Sequence, residues 1–342
     1  MENKMSRILV ENIIKHALKN IKDDPERGIR NLIDMALQFS EGRFQQKIFS
    51  IAQTMLQNEN SSYYDLVRNV VSYIDIDRLY TFGMNLGYNG YTIGAQRIRE
   101  NEKKLHCHIP WAITMQINSE YFERNQQNYH VLLQEGEMLG IYTWILFIAN
   151  HPEKVFSLAK NYSDSAFCIF CKAEDISAEF LDEASELYNI MIVIQYEENA
   201  AVICDTIRKM GLLYSVWYQY GQKDAKSIIN GDLFSSIQQL SPVFTFFLPE
   251  SNCSETTKTV VYQAILQARN EQRYHTLLWD LHGDNSLIDS IISDDSCSTY
   301  FDAQGNFCVF GKKIESEHHN LFQNSLSEIL INKCAKKVEV SV

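Results

Sequence analysis

Apolar residues in the first 105 positions recur at three- and four-residue spacing, interrupted by acidic and polar segments. In "SRILVENIIKHALKNI" the apolar positions include Ile8, Ile13, Ile14, Leu18 and Ile21. This spacing places them on one face of a helix, as in an amphipathic helix packed on a core. The next segment opens with Asp24-Pro25, and proline in the first turn after a capping residue is typical of a helix start. The pattern predicts an all-helical N-terminal region.

The pattern changes from Pro110 onward, where short runs rich in isoleucine, valine, phenylalanine and tyrosine alternate with helical segments. The strand candidates are "WAITMQI", "YTWILFIA", "AFCIFCKA", "NIMIVIQY", "LLYSVWYQY", "PVFTFFLP" and the less regular "HTLLWDL". Strands joined by crossover helices pair in parallel through right-handed connections. Near-continuous apolar strands indicate a sheet that is covered on both faces. The class is therefore α/β.

The number of strand–helix units favours one architecture within this class. About 175 residues, 110–284, carry six units and a possible seventh strand, whereas a full eight-unit barrel takes about 250 residues. The count predicts a partial, open α/β barrel of the TIM type, with a flat doubly wound sheet as the alternative. A turn in "DAQGN" then joins two short strands, and a closing helix follows. The expected regions are 1–105, 106–285 and 286–342.

Composition and charge restrict the partners. Hydrophobic residues make up 45% and charged residues 22% of the 342 residues, as in globular proteins with a core of their own. The formal net charge is −12, and binding through phosphates needs clustered lysine and arginine, so nucleic acid is not an expected partner.

The sequence also bears on where the protein resides. The N-terminus lacks the uninterrupted apolar core of a signal peptide. The longest strongly apolar run has nine residues, Ile141–Ala149, and a membrane-spanning helix needs about 20. The eight cysteines are scattered along the chain, which favours free thiols in a reducing cytoplasm. We therefore expect a cytoplasmic protein without a membrane span.

Four stretches together resemble a group of bacterial radical S-adenosylmethionine (SAM) proteins. They are "CHIPWAITM" (107–115), "LGIY" (139–142), "YFDAQGNFCVFG" (300–311) and "NSLSEIL" (324–330). The most specific piece is Pro110-Trp111-Ala112. The resemblance implies a helical N-terminal region, a partial barrel and a remnant of the SPASM-like extension that closes many such proteins.

The resemblance also shows what the sequence lacks. Radical SAM enzymes bind a four-iron cluster through Cys-x-x-x-Cys-x-x-Cys in a loop after the first strand. Setting Met115 against its counterpart places Tyr121, Asn125 and Asn128 at the three cysteine positions, in a segment that we expect to remain a loop. A phenol and two amides cannot replace three thiolates around an iron–sulfur cluster. Tyr129 stands where the family often has an aromatic residue beside the SAM adenine.

The second family element is altered as well. After the second strand, radical SAM enzymes have Gly-Gly-Glu-Pro, which binds the SAM amino group. This sequence has "IANHPE", in which Ile148 and Ala149 remove the flexibility of a glycine pair and Asn150 or His151 replaces the acid. With both elements changed, we expect neither an iron–sulfur cluster nor SAM, and no other cofactor or metal.

The other cysteines and histidines do not restore a metal site in this interpretation. Cys168 and Cys171 form one Cys-x-x-Cys in a predicted strand, where residues three apart point to opposite faces. Cys297, Cys308 and Cys334 fall near the auxiliary-cluster region of relatives, but with unmatched spacing. The histidines of "HCH" (106–108) and "EHH" (317–319) are interpreted as surface residues.

Barrels bind ligands at the carboxyl ends of their strands. The candidate binding residues there are His151, Glu174, Tyr220, Glu250 and His282, with Asp175, Glu197, Glu198 and Asp284 beside them. The alternative interpretation is that these are ordinary capping and solvated loop residues. In addition, Tyr121, Phe122, Arg124 and Tyr129 would either fill the cavity left by the cluster or contact a partner.

These observations support a catalytically inactive radical SAM-like protein that acts by binding. Its partner would be an active homologue or a peptide or protein substrate, and its role regulatory or scaffolding. Two alternatives stay open, an enzyme of a different class and a small-molecule sensor, both using the barrel mouth. Fold resemblance alone does not decide among them.

Overall fold

The structure, a computed structural model, describes residues 2–38, 40, 43–293, 295–297, 299–309, 312–313 and 318–336. The chain forms two compact units. Unit 1 comprises 1–84 and 191–281, and unit 2 comprises 85–190 and 282–342. The sequence-based regions 1–105, 106–285 and 286–342 follow the chain, whereas each unit combines segments that are distant in sequence.

The N-terminal region is helical, as predicted. Its helices are α1 (Glu2–Asp23), α2 (Pro25–Gln38), α3 (Arg43–Leu56), α4 (Ser62–Tyr73), α5 (Ile76–Gly83) and α6 (Ala95–Leu105), with a π-helix at Met84–Gly94. Short polar side chains cap the N-termini of two of these helices, α4 and α5. The Ser61 hydroxyl accepts from the Tyr63 amide, and the Asp75 carboxylate accepts from the amides of Asp77 and Arg78.

The remaining elements alternate between strands and helices. The strands are β1 (Ala112–Asn118), β2 (Thr143–Ala149), β3 (Ala166–Cys171), β4 (Ile190–Gln195), β5 (Tyr214–Tyr220), β6 (Phe244–Pro249), β7 (Leu277–Asp280), β8 (Tyr300–Phe301), β9 (Phe307–Val309) and β10 (Lys312–Lys313). The helices are α7 (Ser119–Leu139), α8 (Phe156–Asn161), α9 (Ala178–Ser185), α10 (Ala200–Lys209), α11 (Ala225–Ile229), α12 (Asp232–Ile237), α13 (Glu255–Asn270), α14 (Leu281–Ser293) and α15 (Leu326–Lys333). All seven strand candidates, including "HTLLWDL", are confirmed as strands.

Parallel pairing dominates the sheet of each unit. In unit 2, β2 pairs in parallel with both β1 and β3, and Met115 lies beside Leu146. On the other side of β1, β8 pairs in parallel and continues into an antiparallel hairpin with β9. In unit 1, β4, β5, β6 and β7 pair in parallel in chain order. Every residue of β3 is buried, as expected for a strand covered on both faces.

Two expectations from the sequence are corrected. The segment after β1 is not a loop, because α7 begins directly at Ser119. The Asn118 side chain accepts from the amides of Glu120 and Tyr121, and this cap starts the helix at once. The second correction concerns the cysteines. Cys297 and Cys334 are bonded to each other, although all eight thiols were expected to be free.

No helix among the described residues is long and apolar enough to cross a membrane.

Candidate functional site

The three residues that the sequence resemblance sets at the cluster-ligand positions, Tyr121, Asn125 and Asn128, lie in the first half of α7. The side-chain amide of Asn125 donates to the Tyr121 carbonyl at 2.8 Å. The backbone of Asn125 leaves helical geometry, with φ −121° and ψ 18°, so α7 is kinked there. Asn128 lies further along the same helix and is partly exposed. These side chains present a phenol and two carboxamides.

Two aromatic side chains of this segment are buried in unit 2. Phe122 is fully buried and Tyr129 is 2% exposed, and their ring centroids are 5.0 Å apart. Burial raises the pKa of the Tyr129 hydroxyl, and the negative charge of Asp302 raises it further. Tyr121 differs, since 38% of its surface is exposed. Of the two alternatives for these rings, burial matches a filling role for Phe122 and Tyr129, whereas the exposed Tyr121 is accessible to a partner.

A third ring comes from near the C-terminus. The Phe322 centroid lies 5.6 Å from that of Tyr129 and 6.0 Å from that of Tyr121. Phe322 is held from behind by Gly305, which has a φ of +76°, and a Cβ atom there would lie 2.7 Å from the Phe322 ring. Glycine is required at this turn because it tolerates both the left-handed backbone and the close ring.

The same C-terminal segment is tied to α7 by a carboxylate. The Leu326 amide, at the start of α15, donates to Glu135 at 2.6 Å, and Ser325 and Glu328 form a capping box there. A groove of about 290 Å³ lies between α7 and residues 321–326. Its lining includes Asn128, Val131 and Phe322.

The end of β2 has an unusual backbone. Asn150 and His151 adopt left-handed conformations, with φ values of 58° and 49°. Residues other than glycine rarely adopt this conformation, although asparagine and histidine do so more often than most. Ile148 is buried and Ala149 is exposed. The His151 ring lies 3.1 Å from the Glu153 carboxylate and is largely exposed.

The remaining candidate residues at strand ends belong to both units. In unit 2, the exposed Glu174 forms an ion pair with Lys172 at 3.2 Å, and His282 lies, partly exposed, in the first turn of α14. In unit 1, Tyr220 at the end of β5 is 1% exposed, and Glu250 follows β6.

Sequence reasoning missed a buried carboxylate in unit 1. The Tyr220 hydroxyl donates to Asp280 at 3.3 Å, and Asp280 is itself buried at the end of β7. Burial, followed by the nearby charge of Asp280, raises the pKa of Tyr220. The available signal was the aspartate that closes the apolar run "LLWD".

The residues described do not fit an iron–sulfur cluster at the start of α7. Cys168 and Cys171 lie in β3, and burial raises the pKa of the Cys168 thiol to about 12. Across the described ranges, no group of three or more histidine, cysteine or acidic residues could hold a metal ion. The positions of Tyr121, Asn125 and Asn128 offer neutral oxygen and nitrogen atoms, and thiolates are what such a cluster requires.

Comparison with solved structures identifies the kind of fold. The chain is similar to Streptococcus suis SuiB in two crystal structures, one bound to S-adenosylmethionine and one bound to the precursor peptide SuiA. The TM-scores are 0.51 and 0.50 respectively, each at 8% sequence identity over 69% of this chain. The alignments cover 67% and 68% of SuiB. Neither a protein-family model nor a curated protein matches the sequence.

The chain thus has a radical SAM-type fold. The predicted fold class is confirmed, with parallel strand–helix units after a helical N-terminal region. The similarity at 8% identity concerns the fold alone, so the activity of this chain is a separate question.

Proposed function

We propose that this protein is a radical SAM-like pseudoenzyme that acts by binding a peptide or protein. It keeps the fold without a cluster or SAM chemistry. Its role is regulatory or scaffolding and its setting is the cytoplasm. The observation that carries this proposal is that Tyr121, Asn125 and Asn128, which the resemblance sets at the three cysteine positions, lie in the helix α7 and carry no thiol.

The geometry around these positions supports the same interpretation. A cluster needs a loop whose three thiolates converge on one point, and here an Asn118-capped helix occupies the segment. The Asn125 amide is already hydrogen-bonded to the Tyr121 carbonyl. The buried rings of Phe122 and Tyr129 fill the adjacent space. Restoring a cluster would therefore require new ligands and also the unwinding of a capped helix turn.

The SAM-binding element gives independent support. Ile148 is buried in the core and Ala149 is exposed, while His151 is occupied with Glu153. Without a carboxylate at Asn150 or His151, the segment lacks a negative charge for the SAM amino group at those two positions. Each remaining polar contact is worth about 0.5–1.5 kcal/mol net. The sum of a few such contacts barely offsets the free-energy cost of immobilising a ligand.

The proposed partner is an active radical SAM homologue or the peptide or protein on which such an enzyme acts. The SuiB structure with precursor peptide SuiA supports a peptide because it shows this type of fold with a peptide bound. Tyr121 is the exposed aromatic residue of the altered segment, and exposed aromatic residues often anchor interfaces. It is therefore the first residue to vary in a binding study.

A binding titration tests this function. The purified chain is titrated with an active radical SAM homologue from the same organism and, separately, with the peptide substrate of that homologue. We expect saturable binding to one of them at micromolar concentration, weakened at least about tenfold, or about 1.4 kcal/mol, by Tyr121→Ala. Exposed Tyr188→Ala is the matched control, since Tyr188 is 42% exposed and lies away from α7 in sequence. Absence of binding to both at about 100 μM would contradict the proposal.

A further inference from the structure

Cys297 and Cys334 differ from the other cysteines of this chain because a disulfide joins them. Their Cα atoms are 5.8 Å apart, and 37 positions separate them in sequence. The other six cysteines are free and buried. The bond closes a loop that contains the hairpin of β8 and β9, Phe322 and α15. The groove beside α7 therefore has one of its walls within this loop.

Both cysteines are held in place by the segment that enters β1. The amide of Cys297 and that of Trp111 both donate to the buried carboxylate of Asp289. On the other side, the His108 amide donates to the Cys334 carbonyl at 2.7 Å. Residues 107 and 335 form an antiparallel bridge. The backbone therefore brings the two sulfur atoms together without depending on the bond itself.

The residues that follow Cys334 are anchored by a second contact. The Lys336 ammonium group lies 3.1 Å from the buried Glu102 carboxylate, and the Lys336 amide donates to the His106 carbonyl at 3.1 Å. Glu102 also accepts from the Ile109 amide at 2.9 Å. None of these contacts involves the sulfur atoms, so we expect them to keep Cys334 near Cys297 when the disulfide is reduced and to let the bond form again.

The free thiols are poorly suited to compete with this pair. Burial raises the pKa of Cys107 to about 11, and that of Cys168 and Cys204 to about 12. The thiolate is the reactive form in disulfide exchange, and it is scarce at neutral pH when the pKa is this high. Cys297 and Cys334 are buried as well, so it is the placement of their sulfur atoms side by side that directs disulfide formation to this pair.

We infer that Cys297 and Cys334 form a reversible redox clasp that fixes the C-terminal segment, including Phe322, against α7. The oxidant is a small-molecule disulfide of the glutathione class. One cysteine thiolate attacks glutathione disulfide, forming a mixed disulfide and releasing one glutathione. The second cysteine then attacks the mixed disulfide, which forms the Cys297–Cys334 bond and releases the second glutathione. Two thiol protons pass to the two glutathione thiols, and a dithiol reductant reverses the reaction.

The clasp does not depend on the proposed binding function, although its resting state rests on the proposed cytoplasmic setting. In a reducing cytoplasm, disulfides are mostly transient and redox-sensing, so the open form is the resting one and oxidation closes it. Closure restrains the 37-residue loop, which lowers the entropy of its opened state. The groove wall formed by residues 321–326 is then held more firmly beside α7.

Thiol mapping and limited proteolysis of the full chain test the clasp. One sample is treated with glutathione disulfide and one with dithiothreitol, and free thiols are alkylated before peptide mass spectrometry. We expect a Cys297–Cys334 peptide pair in the oxidised sample only. We also expect trypsin to cleave between these cysteines, for example after Lys333, at least about tenfold more slowly in that sample.

Two variants complete the test. Cys297→Ser combined with Cys334→Ser should remove the difference between the oxidised and reduced samples. Cys253→Ser, a buried cysteine in unit 1, should keep it. If the double variant fails to fold, the two treatments of the unmodified chain decide alone. Three results would each overturn the inference: alkylation of both Cys297 and Cys334 after treatment with glutathione disulfide, pairing of either with another cysteine, or equal cleavage rates in the two samples.

Discussion

The ring of Phe322 meets the ring of Tyr129 edge-on, with 5.6 Å between the centroids and 69° between the ring planes. Tyr129 lies in the helix after β1, and Phe322 lies shortly before the final helix. The contact therefore joins two parts of unit 2 that are distant in sequence, beside the residues that the sequence resemblance sets at the cluster-ligand positions. Edge-to-face packing of this kind is favourable, and together with Phe122 it makes the region part of the core.

The first prediction concerns the buried rings. Phe122→Ala and Tyr129→Ala should each lower the free energy of unfolding by about 3–5 kcal/mol, because each removes a fully packed ring. Tyr121→Ala is the neighbouring control. Since Tyr121 is 38% exposed, its replacement should lower the free energy of unfolding by about 1 kcal/mol or less. Urea titration measures all three. A loss at Phe122 no larger than that at Tyr121 would mean that the rings do not fill the core.

A second prediction concerns the turn behind Phe322. Gly305→Ala should destabilise the chain because it forces alanine into a φ of +76° and places a Cβ atom 2.7 Å from the Phe322 ring. Gly211→Ala is the matched control, with a φ of +69° and its nearest neighbour atom, the Tyr73 carbonyl oxygen, 3.2 Å from the added Cβ. We expect the free energy of unfolding to fall by about 1 kcal/mol in the control and by about 2–4 kcal/mol in Gly305→Ala. Equal losses in urea titration would show that Phe322 is not held by this turn.

The third prediction is a dependence of stability on pH. Burial raises the pKa of Asp289 well above its ordinary value, and the charge of Glu102 contributes. The folded protein therefore holds a proton that the unfolded chain has released. The stability from this proton is complete below the unfolded pKa and is lost as pH rises through the folded pKa.

Asp289→Asn removes this titration and keeps an oxygen that can accept from the Trp111 amide. The stability of the variant relative to the unmodified chain should therefore increase between roughly pH 4 and pH 8. Urea titrations across this range provide the measurement. A constant difference between the two proteins would show that Asp289 does not change its protonation on unfolding in this range.

The fourth prediction concerns SAM. Calorimetric titration should show a Kd of about 1 mM or weaker, because at both Asn150 and His151 the segment lacks the acid that would bind the amino group. Micromolar binding would return a SAM-dependent function to consideration. Asn150→Glu tests the reason, since a restored carboxylate should strengthen any weak binding.

The elements of the fold could be predicted from the sequence because their cause is local. The run "AFCIFC" is apolar at every position, and β3, which it forms, is buried throughout, so pattern and burial agree. The start of α7 could not be predicted in this way. The resemblance suggested a loop, whereas the side chain of Asn118 caps a helix that begins at Ser119.

Contacts between segments that are distant in sequence could not be predicted either. The sequence identified Tyr129 and the hairpin turn at Gly305, but Phe322 joins them only in three dimensions. The pairing of Cys297 with Cys334 likewise depends on backbone contacts with the segment around His108 and Trp111. Neither relationship has a periodicity or spacing that a sequence displays. The same holds for Tyr220 and Asp280, which come from different strands.

The central claim of the proposed function is that this protein holds no iron–sulfur cluster. The most direct measurement is the amount of iron and acid-labile sulfide per chain after anaerobic reconstitution with iron and sulfide, followed by removal of unbound metal. Because the resemblance sets Tyr121, Asn125 and Asn128 at the ligand positions, we predict a colourless protein with far less than one iron atom per chain. About four iron and four sulfide per chain, with a broad absorption band near roughly 400 nm that a chelator removes, would contradict the account.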